Sequence, residues 1–180
     1  MSKGEVVVLD CWASPFCMRV KIALEEKGVQ YEDRAEDLFG GKSELLLTSN
    51  PIYQKVPVLL HNEKPLCEST IIVGYIDETW PSQPLLPTCP YGRAQARFWA
   101  DFIDKKVFDA GSNIWRNKGE HKSWFVAYEK CGGFKVEDHC PKFSAWMKRC
   151  MHRKTVAKVL PDPEKIYEFV LMLQKMNGIE

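Results

Sequence analysis

The turn Cys11-Trp12-Ala13-Ser14-Pro15-Phe16-Cys17 is the place in this chain where residue types and spacing most plainly suit chemistry. A Val-rich run, Glu5 to Asp10, leads in and a helix-like run, Arg19 to Gly28, leads out, so Ser14 and Cys17 stand three apart where a strand becomes a helix. Two cysteines at that spacing on such a turn form a dithiol redox motif. Here a serine holds the first position. A hydroxyl just before a helix N-terminus can donate to an anion, and the free N–H groups of the first turn and the helix dipole favour the same negative charge. A thiolate is a suitable anion, since it is the nucleophilic form of a thiol whose free pKa is roughly 8.5. Ser14 also reads simply as an N-cap. Cys17 reads as a structural thiol or as the resolving half of a redox pair, although a lone resolving cysteine cannot run dithiol exchange.

Three further features carry possible chemistry. Val56-Pro57 opens a strand, where proline removes a ladder donor; a trans edge-strand proline tolerates this, and so does a cis bond whose preceding backbone meets an extended ligand. Ser69, ahead of Thr70 to Glu78, is a good N-cap, and a helix N-terminus also receives carboxylates. Lys42 and Lys55 are lone lysines of the kind that are ordinarily solvated. Seven cysteines (Cys11, Cys17, Cys67, Cys89, Cys131, Cys140, Cys150) at irregular spacing, with four scattered histidines, argue against a disulfide scaffold or a closed zinc site.

The elements that must position these residues follow from pattern. The 180 residues, 45% apolar and 12% aromatic, suit one large or two small globular domains. With 25 basic and 24 acidic residues, no global field draws the chain to nucleic acid or an anionic membrane. The opening MSKGEVVVLD is far short of a signal or membrane-spanning segment, which places the protein in the cytoplasm by expectation. Residues 5–11 read as a strand buried on both faces, Phe16 to Lys27 as a helix that Gly28 stops, and 29–33 as a second strand, parallel to the first by expectation. A short helix near Ser43 to Thr48, strands at 56–60 and 65–67 around a tight turn at Asn62 to Lys64, and a helix opening at Ser69 complete β-α-β-α-β-β-α. Four prolines between Trp80 and Pro90 make a stiff linker. Beyond it, 91–119 reads as one long amphipathic helix with Phe98, Phe102, Ile103, Val107, Phe108 and Ile114 toward a core, followed by helices at 123–130, 141–152 and 163–176.

Five ordered motifs now point the same way: W-A-S-P-F, R-V-K-I-A-L-E-E-K-G, N-P-x-x-x-K-V-P-V-L, C-E-S-T-I-I-V-x-Y-I-D-E, and C-P-K-F-x-A-W-x-K-R-C with L-P-D-P-E-K-x-Y-E-F-V. Together, over nearly the whole chain, they resemble plant tau-class glutathione transferases. The resemblance implies a thioredoxin-like N-terminal domain (residues 1–80) that binds glutathione, a linker (81–90), and a helical C-terminal domain (91–180) that holds an electrophile. It implies glutathione as co-substrate with no metal or redox cofactor, conjugation of the thiolate to small hydrophobic electrophiles or binding of apolar ligands, a cytoplasmic homodimer, and roles in detoxification and stress response.

Residue by residue, the resemblance makes Ser14 the stabiliser of the glutathione thiolate. A depression of about two pKa units there corresponds to about 2.7 kcal/mol. It implies that Val56 pairs with the cysteinyl backbone through a cis bond to Pro57. Ser69 and Glu68 would take the γ-glutamyl end, Glu68 meeting the α-ammonium, and Lys42 and Lys55 would hold the glycine carboxylate. Phe16 and Arg19 read as packing and bracing the first helix. Trp12, Phe108, Ser112, Trp115, Trp124 and Phe169 would line the electrophile pocket; by spacing alone the aromatics read as core. Ser112 and Phe108 stand where many relatives have an arginine and a tyrosine. Arg93 and Arg97, with Asp77 and Glu78, read either as dimer contacts or as a solvated face.

One departure is large. About forty residues of the family pattern are missing between Gly119-Glu120 and Ser123-Trp124, including an S/T-x-x-D helix N-cap. The C-terminal domain is short of a core element, so apolar surface stays exposed or the remaining helices re-pack. Two further readings therefore stand beside the enzyme: a non-catalytic binder, and glutaredoxin-like thiol chemistry through Cys17.

Overall fold

In the computed structural model the described residues are 5–107, 129, 135–176 and 178. They fall in two compact units, Met1–Thr88 and Cys89–Glu180. The first unit holds β1 (Val6–Asp10), α1 (Pro15–Lys27), β2 (Glu32–Ala35), α2 (Glu44–Ser49), β3 (Val58–His61), β4 (Lys64–Cys67) and α3 (Ser69–Thr79). The sheet runs β2-β1-β3-β4, with β1 parallel to β2 and antiparallel to β3, and β3 antiparallel to β4. This is the thioredoxin-like order that the sequence predicts.

The period-2 geometry of β1 sends its four buried apolar residues to two cores. Val6 and Val8 join Val20, Leu24, Ile72 and Ile76 of α1 and α3, while Val7 and Leu9 join Leu46, Val58 and Leu60 on the other face. Each such side chain contributes about 1.5–3 kcal/mol by leaving water, which makes β1 the rigid base of everything at its C-terminal end. The β3-β4 turn is Asn62-Glu63, both at positive φ (52° and 64°), the pairing that a two-residue type I′ hairpin requires.

The second strand lies later than the predicted 29–33. Gly28 takes a left-handed φ of 65°, and Val29 N–H bonds Leu24 C=O at 3.0 Å, so Val29 closes the end of α1 instead of starting a strand. A second correction concerns Asp77. Its carboxylate is buried against Lys27, Nζ to Oδ1 2.7 Å, with side chains 0% and 3% exposed. It also receives the backbone N–H groups of Leu85 (2.7 Å) and Leu86 (3.2 Å). Asp77 thus ties the linker to its own unit and is not free to serve as a dimer contact.

In the second unit the described elements are all helical: α4 (Pro90–Phe102) running into a π-helical turn at Ile103–Val107, then α5 (Val136–His139), α6 (Pro141–Met151), α7 (Lys154–Val159) and α8 (Pro163–Met176). The α6 and α8 spans match the predicted ones; α5 and α7 are too short for periodicity to mark. The rest of the predicted 91–119 helix, and that at 123–130 apart from residue 129, lie outside the described residues. Phe98, Phe102 and Ile103 do not enter a core: they are 57%, 42% and 48% exposed. Amphipathic spacing says that a face is apolar, not that something covers it. The rings instead meet one another edge to face, Phe98 with Trp99 at 5.2 Å and Trp99 with Phe102 at 5.7 Å. Among the described residues no helix is long and apolar enough to cross a membrane.

Candidate active site

Ser14 is the N-cap of α1. Its backbone is extended (φ −80°, ψ 119°), its Oγ accepts the Cys17 N–H at 3.3 Å, and Pro15 occupies the first helical position, where a missing N–H costs nothing. The Ser14 N–H bonds Cys11 C=O at 2.8 Å, which fixes the turn on the end of β1. The half-buried hydroxyl therefore stands beside the positive end of the helix dipole.

Cys17 is fully buried, and burial pushes its thiol up to about 12, against hydrogen bonds from Ser14 and the Cys11 backbone. A thiol held protonated and away from solvent does not run disulfide exchange, so the glutaredoxin-like reading fails on this residue.

Strand register brings the other pieces to the same end of the sheet. Leu9 pairs with Val58 and Val58 with Cys67, both antiparallel, so the exit of β1, the entry of β3 and the exit of β4 adjoin. Val56 precedes that entry; its peptide bond to Pro57 is cis, as the resemblance implies. Glu68 and Ser69 follow the β4 exit. Ser69 is buried and lies inside α3, not at its cap: the N-cap is Glu68, at a φ of 68° with no side-chain cap bond. The exposed Glu68 side chain has no hydrogen bond or ion pair among the described residues.

Arg19 does more than brace its helix. Its guanidinium lies over the Phe16 ring, 5.5 Å from the centroid, and Nη1 donates to Ser69 Oγ at 2.8 Å. That bond joins the second turn of α1 to the start of α3, fifty positions apart in sequence. Two other organisers escaped the sequence reading. Buried Asn50 donates Nδ2–H to Lys55 C=O (2.9 Å), receives Tyr53 N–H on Oδ1 (3.3 Å) and Gln54 N–H on its C=O (2.8 Å), and so shapes the loop carrying Lys55 and Val56. Glu36 donates its N–H to Asp10 C=O (2.8 Å), and its carboxylate takes the Ser43 hydroxyl (2.7 Å) and N–H (3.1 Å), which ties the segment carrying Lys42 to the end of β1. The Asn50 signal was present in the N-P-x-x-x-K-V-P motif; Glu36 had none. Both lysines are exposed and neither is in an ion pair among the described residues.

Of the candidate electrophile residues two are described, one in each unit. Trp12 is 48% exposed on the turn after β1, and Phe169 is half-buried on α8 of the second unit. Phe108, Ser112, Trp115 and Trp124 lie outside the described residues.

Comparison with known proteins agrees with this geometry. Residues 4–78 match the model of the glutathione S-transferase N-terminal domain. The chain is 46% identical, over 222 aligned positions and the whole of both chains, to a probable glutathione S-transferase, parC, of Nicotiana tabacum. It is 47% identical to glutathione S-transferase U25 of Arabidopsis thaliana, over 98% of each. Among solved structures, a rice glutathione transferase in complex with glutathione superposes with a TM-score of 0.91 at 40% identity, over 98% of this chain and 100% of that one. A tau-class glutathione S-transferase from mango gives 0.87 at 36%, over 96% and 100%. Since the tobacco alignment takes in all 180 residues over 222 positions, at least 42 positions have no counterpart here. That is the size of the internal shortening read from the motifs.

Proposed function

This chain belongs to the glutathione S-transferase family, in its plant tau class, and from that premise we propose which of its residues carry the transfer of glutathione to an electrophile. Ser14 stabilises the thiolate. The observation that carries this assignment is the hydroxyl itself: Oγ already receives the Cys17 N–H, so its own proton is the donor left for an incoming sulfur. The first-turn N–H groups of α1 add to the favourable field. The thiolate then attacks the electrophilic carbon, displacing a leaving group such as halide or adding to a polarised double bond.

The tripeptide spans the sheet end described above. Val56 pairs through its N–H and C=O with the cysteinyl backbone. Ser69, held by Arg19, and Glu68 receive the γ-glutamyl end, Glu68 taking the α-ammonium, while Lys42 and Lys55 hold the glycine carboxylate. Trp12, Phe108, Ser112, Trp115, Trp124 and Phe169 form the wall for a small hydrophobic electrophile, an assignment supported by the motif pattern. Residues 1–80 thus serve glutathione and 91–180 the electrophile, in a cytoplasmic homodimer to which Arg93, Arg97 and Glu78 contribute.

The test is the initial rate of conjugation to an aryl halide for wild type and Ser14→Ala. The variant keeps its glutathione affinity within a few-fold and loses about 10²–10³ in rate, the scale of removing one aimed donor. Equal rates in the two proteins contradict the assignment. Wild type that binds glutathione without turnover makes this shortened chain a binder.

A further inference from the structure

Lys42 is exposed and follows two exposed glycines, Gly40 and Gly41, the second at a φ of 145° that favours glycine. Glycine has more backbone freedom than any other residue, so a lysine placed after two of them keeps a fixed position only if something else holds it. Here the chain closes a loop, residues 36–43, at its base. Glu36 donates its N–H to Asp10 C=O at 2.8 Å, takes the Ser43 O–H on Oε1 at 2.7 Å and takes the Ser43 N–H on Oε2 at 3.1 Å. Ser43 Oγ in turn accepts the Leu46 N–H at 3.0 Å as the N-cap of α2, and Leu46 is fully buried in the core with Leu9 and Val58. The first half of the loop is held separately. Asp37 Oδ1 takes the N–H groups of Phe39 (2.9 Å) and Gly40 (2.7 Å), and Leu38 packs on that same core. Lys42 stands in the other half, next to the residue that closes the loop.

We propose that Glu36 is a positioning residue for the glycine end of glutathione: by clasping Ser43 it holds Lys42 where the ammonium meets the glycine carboxylate, and so makes the site prefer glutathione to an analogue whose glycine end is neutral. The inference deepens the role proposed for Lys42 and rests on it. Glu36 itself does not touch the ligand. Its carboxylate is satisfied by the two neutral donors of Ser43, and among the described residues Lys42 is in no ion pair, so the lysine charge is left for a ligand. The bond from Glu36 to Asp10 also sets the clasp on β1, the strand that leads into the Ser14 turn. The glycine end and the thiol end of the site are thereby referred to one rigid element.

Charge and position give Glu36 opposite effects on glutathione. A carboxylate repels an anionic glycine end, so removing it by charge alone tightens binding. Removing it as a clasp frees Ser43 and Lys42 and weakens binding. Glutamine separates the two: it carries no charge, yet its carbonyl accepts the Ser43 N–H and its amide donates to Ser43 Oγ.

The test is calorimetric titration of the protein with glutathione and with glutathione monoethyl ester, whose glycine carboxylate is blocked; it needs no turnover. Glu36→Ala raises the Kd for glutathione about two- to five-fold, no more than Lys42→Ala does, and leaves the Kd for the ester unchanged. Glu36→Gln restores the wild-type values. Ser43→Ala, which cuts the clasp from its other side, gives a smaller rise for glutathione alone. On a Lys42→Ala background Glu36→Ala adds no further change, because the two residues act through one contact. Glutathione bound as well or better by Glu36→Ala, a loss shared equally by the ester, or a loss in Glu36→Gln equal to that in Glu36→Ala overturns the positioning role. Lys42→Ala that weakens both ligands equally, or neither, overturns instead the assignment of Lys42 on which it rests.

Discussion

The two units of this chain treat their apolar side chains in opposite ways. In the first, β1, β3, α1 and α3 bury their apolar faces locally: Val8, Leu9, Leu24, Leu59, Ile72 and Ile76 are fully enclosed. In the second, Val136, Ile166 and Val170 are the buried hydrophobic residues among those described, and α4 buries none while its Phe98, Trp99 and Phe102 lie open. The first unit is thus a finished scaffold that can hold Ser14, Val56 and Ser69 to a fixed geometry. In the second, α4 displays an aromatic face without enclosing it. A full-length relative has at least 42 positions with no counterpart in this chain, while residues 4–78 match the family's N-terminal domain.

The comparison is most sharply tested by truncating one side chain of each kind. Leu24→Ala removes a fully buried residue and is expected to cost about 2–5 kcal/mol in denaturant unfolding. A smaller loss would mean that the first core is not the tight one.

Next comes the buried pair that anchors the linker. Asp77→Asn leaves Lys27 charged and buried, and costs about 3 kcal/mol. Asp77 is held below its ordinary value of 3.8: burial works against this, but the Leu85 and Leu86 N–H groups and Lys27 outweigh it. A depressed acid stabilises the fold above its unfolded pKa and loses that contribution as pH falls through its folded pKa. The stability difference between wild type and Asp77→Asn is therefore full above 3.8 and shrinks below it; a gap independent of pH in that range sinks the account of this pair.

Effects at exposed charges are smaller. Lys42→Ala and Lys55→Ala each raise KM for glutathione by no more than about five-fold, roughly 1 kcal/mol or less, leave kcat unchanged, and matter less at high salt. A fall in kcat would place them nearer the reacting sulfur than the proposal does. Smallest is Phe98→Ser, which changes stability by less than about 0.5 kcal/mol if the α4 face is open. A larger, concentration-dependent loss would show that a second copy covers it.

The first unit was legible in sequence because its elements close on near neighbours and its turns carry explicit residues: Pro15 and Gly28 bound α1, and Asn62-Glu63 closes the hairpin. The second strand was misplaced because Val29 looks like a strand residue while serving the helix end. At the site, Ser14, Val56 and Ser69 announced themselves by motif. Arg19, Glu36 and Asp10 did not, since what they touch depends on strand register and helix packing that no local pattern encodes. On α4 the spacing of Phe98, Phe102 and Ile103 marked an apolar face correctly and a buried one wrongly, because coverage is a property of the neighbours.

The central claim is that Ser14 makes the bound thiol acidic. The most direct test is an ultraviolet titration of the thiolate in the protein–glutathione complex, for wild type and Ser14→Ala. The account predicts an apparent pKa about two units below the roughly 8.5 of a free thiol in wild type, returning most of the way in the variant. A bound thiol that titrates at the same pH in both proteins contradicts it.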